Sequence, residues 1–152
     1  NLIPCCSLCN TVLKGIKQFS MDTHLHPYLN KVITDFNFNY DYSVEEDELE
    51  VLIEPKKLPI RIKRSFDDFK IKDIYNAHRS EVKDLVNLKK AFSDNYLSIL
   101  SSQVLGEVEI SQKEMYRMVF GTYYEDEKLH FRPFSKLKRD ILQELNIIDK
   151  KK

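Results

Sequence analysis

The sequence predicts an α+β fold in which an antiparallel β-hairpin packs on a mainly helical region. Aromatic residues alternate with polar ones from Phe36 to Tyr42, and apolar residues alternate again from Leu49 to Ile53, the period of half-buried strands. Beyond Ser65 the apolar residues recur at three- and four-residue steps, the period of amphipathic helices. Only 3 Gly and 5 Pro punctuate the 152 residues, which argues against a small turn-rich all-β fold, collagen or a flexible linker and points to long elements.

The first element is a short helix opening near Ser7 and running through Cys9, Val12 and Leu13, with Gly15 as its stop. Residues 19–30 read as a polar loop, because Pro27 pushes His26 out of helical geometry. The two strands follow, joined by an acidic turn from Val44 to Asp47, and Pro55 ends the second. Pro59 to Lys63 is expected to add a short edge strand, a position that tolerates proline. Ser65 and Asp68 approximate a capping box and open one helix through Ile71, Tyr75, His78, Val82, Leu85, Phe92, Tyr96 and Ile99, about nine turns, interrupted near Asp94. Ser111 with Glu114 caps a second helix that ends at Gly121. Pro133 and Ser135 introduce a third, carrying Leu137, Ile141, Leu142 and Leu145, before a frayed tail at Lys150–Lys152.

Composition narrows the class. Lys and Arg number 24 against 24 Asp and Glu, for a net charge of +0, with 42% hydrophobic and 11% aromatic residues, so the chain has one domain's length and the apolar content to fold. No apolar run approaches the roughly 18 to 20 residues that cross a bilayer, and no secretory signal opens the chain, so neither a membrane partner nor secretion is expected. The three cysteines, Cys5, Cys6 and Cys9, crowd into the first ten residues rather than spreading as a disulfide scaffold does, which suits a reducing, cytoplasmic compartment.

Cys6 and Cys9 are separated by two residues, the spacing with which two thiols on a tight turn reach one tetrahedral Zn²⁺. Such a closed site takes about four ligands, so the pair is half of one, and no later cysteine completes it. The same spacing is a redox signature, although no βαβ pattern surrounds it; the bland alternative is two buried thiols packing as small hydrophobes. Asn10 is either a helix cap or a functional side chain.

The string Asn1-Leu2-Ile3-Pro4-Cys5-Cys6-Ser7-Leu8-Cys9-Asn10, followed by Lys14-Gly15, resembles the closing segment of the ββα-metal core of HNH endonucleases, of the form N-L-x-P-x-C-x-x-C-N with Lys-Gly beyond it. Asp22-Thr23-His24-Leu25-His26-Pro27-Tyr28 and the stretch His130 through Leu145 are similar to the C-terminal extension of a bacterial subgroup. The resemblance implies a partial ββα-metal segment over residues 1–30 and an accessory region over 31–152. It implies DNA phosphodiester hydrolysis with Mg²⁺ or Mn²⁺, Asn1 as an orienting residue, Asn10 as a ligand of that ion, and Cys6 and Cys9 on structural Zn²⁺. The family's general-base histidine lies on a strand before this string, so sequence upstream of Asn1 is expected and the chain by itself should not cut DNA. The family's presence in mobile-element and anti-phage systems implies a bacterial cytoplasm and allows an ATPase or other defence-system subunit as partner.

Other residues carry weaker signals. Asp22, His24 and His26 would share one side of an extended segment and so could hold a divalent ion; a hydrogen-bonded loop is the plainer reading. Lys14 and Lys17 are candidate phosphate contacts, Lys14 the stronger for lying inside the string. A basic group, Lys56, Lys57, Arg61, Lys63, Arg64 and Lys70, neighbours an acidic arm of Asp41, Glu45, Glu46, Asp47, Glu48, Glu50 and Glu54, and either face is as readily a solvated surface. Tyr123, Tyr124, Phe131 and Phe134, around His130 and Arg132, are assigned to packing. The competing function is a noncatalytic nucleic-acid- or protein-binding module in which the CxxC is a relic.

Overall fold

The computed structural model describes residues 6–26, 35–44, 48–54, 57–91, 99, 111–123 and 125–148. Its class is α+β, with a two-stranded antiparallel sheet and helices. Strand β1 (Asn37–Ser43) pairs with β2 (Glu48–Glu54) in a register that sets Phe38 opposite Ile53, Tyr40 opposite Val51 and Tyr42 opposite Leu49. Residues opposite one another share a face, so Phe38, Leu49 and Val51 fall together on the buried side. Asn37, Asp41, Glu48 and Glu50 fall on the exposed one.

That apolar face is covered by helices α3 (Arg79–Ala91) and α5 (Ser135–Glu144). Val82 and Leu85 from α3 meet Leu137, Ile141 and Leu142 from α5 over Phe38 and Val51. Leu137 and Ile141 are fully buried, and each such side chain contributes roughly 1.5–3 kcal/mol. Helix α4 (Gln112–Phe120) adds Phe120 to this core, and Tyr116 donates its hydroxyl to the Ile147 carbonyl at 3.2 Å. The capping expectation for α4 holds at both ends: the Ser111 side chain accepts the Glu114 amide, and Gly121 closes the helix at φ +64°. A 3-10 turn, Asp126–Phe131, leads into α5.

The hairpin's outer edges are each closed by a helical side chain. On β2, the Asn76 amide from helix α2 (Ile71–Ala77) accepts the Val51 N–H at 2.8 Å and donates to the Val51 carbonyl at 3.3 Å, as a third strand would. On β1, the Phe38 N–H donates to Asp140 of α5 at 2.9 Å. Asp140 is buried, and Lys136 at 2.7 Å and Arg139 at 3.2 Å offset its charge. Arg139 also pairs with Asp126. Burial pushes the Lys136 ammonium below the ordinary lysine value even though Asp140 pulls it up, and the ammonium sits 4.6 Å from the Phe36 ring centre.

Three expectations are corrected. Pro59 to Lys63 is no edge strand: Pro59 stands at the cap of helix α1 (Ile60–Asp68), whose inner face buries Ile62 and Ser65 with Phe66 half-buried beside them. Ser65 caps nothing, because it lies inside α1, buried, with its hydroxyl donating to the Arg61 carbonyl at 2.9 Å. The single helix of about nine turns is instead α1, α2 and α3, broken at Lys70, which takes a left-handed φ of +52°, and at His78. Apolar spacing survives such breaks because the three pieces share one core, so periodicity alone did not reveal them. The expectations near Asp94, at Glu45–Asp47 and at Lys150–Lys152 lie outside the described residues.

Candidate functional site

The Cys-rich string leads into a π-helix, Leu8–Lys14, rather than an α-helix. Its wider turns show in the Gly15 N–H, which donates five residues back to the Asn10 carbonyl at 3.2 Å. Gly15 ends it at φ +52°, ψ −129°, a conformation that glycine adopts without a side-chain clash. Asn10 is therefore inside the helix, not its cap; Ser7 stands at the cap position and makes no side-chain capping bond. Asn10 is exposed, and Asn1 lies outside the described residues.

The two thiols are close and unequal. Cys6 is exposed and Cys9 half-buried, and the Cys9 N–H donates to the Cys6 sulfur at 3.4 Å. That amide first, and the Cys9 thiol second, hold the Cys6 pKa below the ordinary thiol value. They are not the buried hydrophobic pair of the bland reading. Two adjacent thiols suit a soft ion such as Zn²⁺, and the remaining ligands of a closed site would have to come from elsewhere. Among the described residues no group of three or more His, Cys, Asp or Glu is placed to hold a metal ion.

Beyond the helix the chain folds back on α1. Ser20 to His24 is a turn, with the Thr23 and His24 amides both donating to the Ser20 carbonyl, so Asp22, His24 and His26 do not share one side of an extended segment. Asp22 is exposed and His26 half-exposed, whereas His24 is 8% exposed. Both ring nitrogens of His24 are engaged: Nε2 lies 2.9 Å from Asp68 Oδ2, and Nδ1 lies 2.8 Å from the Thr23 hydroxyl. A carboxylate only accepts, so Nε2 carries the proton. Lys17 pairs with the other Asp68 oxygen. Hydrogen bonds from Lys17 and then His24 hold the Asp68 carboxyl below its ordinary value.

The junction continues outward from that carboxylate. Phe19 stacks on the His24 ring at 4.0 Å and meets Phe69 edge-on at 5.1 Å. Arg61 donates to the His24 carbonyl at 3.2 Å, and the Leu25 amide donates to the Ser65 hydroxyl at 2.9 Å. The Lys14 ammonium sits 5.9 Å from the Phe19 ring centre, next to the motif helix. Of the two phosphate candidates, Lys17 thus has its charge offset by Asp68, and Lys14 has an aromatic neighbour.

The two charged surfaces resolve differently. Glu48 pairs with Arg79 at 2.9 Å and Glu50 with Lys72 at 2.7 Å, so part of the acidic arm ties the hairpin to α2 and α3. Lys57, Lys63, Arg64 and Lys70 are exposed, whereas Arg61 turns toward His24. The aromatic group divides too: Phe134 packs with Tyr75 and His78 against the core, while Phe131 is exposed and meets Tyr123 and His130. Asp68, Arg61 and Ser65, the residues that position the motif segment, carry no local sequence signal for that role, since their partners are 37 to 51 positions away.

No family model matches this chain. No curated protein and no solved structure is significantly similar to it either. No helix among the described residues is long and apolar enough to cross a membrane.

Proposed function

We propose that this chain carries the second half of an HNH-type metal core and belongs to an endonuclease that hydrolyses DNA phosphodiester bonds with Mg²⁺ or Mn²⁺. The observation that supports the reading is the turn at Cys6 and Cys9. It leaves Cys6 exposed and Cys9 half-buried, immediately ahead of an exposed Asn10, in the order of the family string. In this reading Cys6 and Cys9 hold structural Zn²⁺, Asn10 is a ligand of the catalytic ion, Asn1 orients the motif and Lys14 contacts a phosphate. The divalent ion, when bound, supplies Lewis-acid stabilisation of charge on the scissile phosphate. His24 serves the site indirectly: with Asp68 it pegs the motif-bearing segment to α1. By analogy with the family, the setting is a bacterial cytoplasm and an ATPase or other defence-system subunit is a partner.

In this reading the family's general-base role is assigned to none of the residues named above. The test is a nicking assay on supercoiled plasmid with protein expressed from the complete reading frame. Nicking that appears with Mg²⁺ or Mn²⁺ and vanishes with chelator supports the reading. Its absence under every metal condition sinks it.

A second reading is a noncatalytic protein-binding module. Leu8, Val12 and Ile16 recur at four-residue steps along the motif helix and its exit, with exposures of 60%, 67% and 101%. An apolar row on the motif segment favours docking over phosphate contact, and the same assay separates the two.

A further inference from the structure

We infer that Tyr123, His130, Phe131 and Arg132 form a stacking platform for single-stranded DNA, a surface separate from the cysteine motif. The rings meet in a row: His130 lies 4.2 Å from Phe131, and Phe131 5.9 Å from Tyr123, centre to centre. The Arg132 guanidinium sits 5.8 Å from the Tyr123 ring centre. Phe131 is 62% exposed, and His130 and Arg132 are exposed beside it. A ring so exposed adds little to the core, which takes Phe134 instead. The backbone beneath is fixed: Leu129 of the same 3-10 turn is buried, and the Ser135 hydroxyl donates to the Arg132 carbonyl at 3.0 Å. Thr122, next to Tyr123, donates its hydroxyl to the Ser135 carbonyl at 3.1 Å. The backbone that carries the rings is therefore set before a ligand arrives, which lowers the ordering cost of binding.

The occupant follows from the chemistry of the four side chains. Every base has a flat face on which an aromatic ring can stack, and an unpaired base presents it freely. Arg132 makes no ion pair among the described residues, so its charge can meet a phosphate beside the stacked base. Of the acids on the same turn, Glu125 is paired with Lys128 at 3.4 Å and Asp126 with Arg139, and Glu127 is exposed. A purely apolar partner would cover Arg132 without pairing it, at a cost that a phosphate removes. The inference does not depend on the nuclease reading, because stacking needs neither a metal ion nor a catalytic residue.

The experiment is fluorescence anisotropy of a labelled oligothymidylate of about 12 nucleotides, titrated with the full chain at low salt in chelator. The controls are an abasic strand of the same length and the same oligothymidylate annealed to oligoadenylate. The single strand should bind roughly tenfold tighter than either control. Phe131→Ala and Phe131→Leu should each weaken that binding by roughly tenfold, whereas Phe131→Trp should retain it, since a larger ring still stacks. Arg132→Gln should make the slope of log affinity against log salt shallower by about 0.7. Failure of the oligothymidylate to bind would overturn the inference, and so would an unchanged affinity in Phe131→Leu. Equal binding of the abasic strand would reduce the surface to a charge contact, and equal binding of the duplex would remove the preference for unpaired bases; either result overturns the platform. Circular dichroism of each variant checks that the fold persists. Because chelator is present, failure here is distinct from failure of metal-dependent cutting.

Discussion

His24 Nε2 donates to Asp68 Oδ2 across 2.9 Å, joining the segment that follows the cysteine motif to the first long-range helix. Around that bond the His24 ring is stacked on Phe19 and its carbonyl is held by Arg61, so one carboxylate organises the placement of a whole segment. The relationship explains why a histidine with the look of a metal ligand is buried, and it makes Asp68 the residue to test first.

Asp68→Asn removes the charge that Lys17 and His24 meet. The carboxylate is partly exposed, so after screening the loss should be about 1 kcal/mol and local. Hydrogen exchange at the His24 and Leu25 amides should accelerate while the Val51 amide stays protected. The pH dependence has a definite sign: the folded pKa of Asp68 is depressed, so its contribution is complete above the unfolded value of about 3.9 and disappears as pH falls through the folded one. Protection at His24 that stays constant down to pH 2 would contradict the junction.

Asn76→Ala strips partners from both polar groups of Val51, a residue 1% exposed on the outer edge of β2. The expected cost is about 1–3 kcal/mol in urea unfolding, with a rise in self-association at high concentration as the edge opens. Asn76→Asp should be as damaging or worse, since a carboxylate accepts the Val51 N–H but cannot donate to its carbonyl. A harmless Asn76→Asp would mean the bond to the Val51 carbonyl contributes nothing.

Asp140→Ala leaves Lys136 and Arg139 without the buried carboxylate that offsets them and orphans the Phe38 N–H. Breaking such a group costs about 3–5 kcal/mol. Replacing Lys136 by Met in the wild-type background should cost less, because its pairing is partly repaid by relief of burial. Denaturant midpoints of the two variants decide the order.

Gly121→Ala tests a single backbone position. A β-carbon there would meet nothing within 4 Å, but the residue sits at φ +64°, so the cost is conformational. About 1 kcal/mol is expected, with Gly121→Asn closer to neutral.

Elements whose signals are local were legible in the sequence. The Phe36–Tyr42 and Leu49–Ile53 alternation produced the hairpin, and Ser111, Glu114 and Gly121 framed their helix, because each signal is complete within a few residues. The breaks at Lys70 and His78 were not legible: neither is a glycine or proline, although Lys70 takes the left-handed conformation that glycine usually fills. Pro59 misled because the same residue suits an edge strand and a helix cap. In the site, the closeness of Cys6 and Cys9 could be read from their spacing, but His24 as an anchor could not, since its partner Asp68 is 44 positions away.

The most direct test of the proposed nuclease role is metal-dependent nicking by protein from the complete reading frame, compared with its Asn10→Ala variant. Asn10 is exposed within the motif helix, so the substitution should leave the circular dichroism spectrum and thermal midpoint unchanged. The predicted result is nicking with Mg²⁺ or Mn²⁺ by the unaltered protein and loss of at least 100-fold in the variant, about 2.7 kcal/mol of transition-state stabilisation. Equal nicking by both proteins would remove Asn10 from the site, and no nicking by either would contradict the nuclease reading itself.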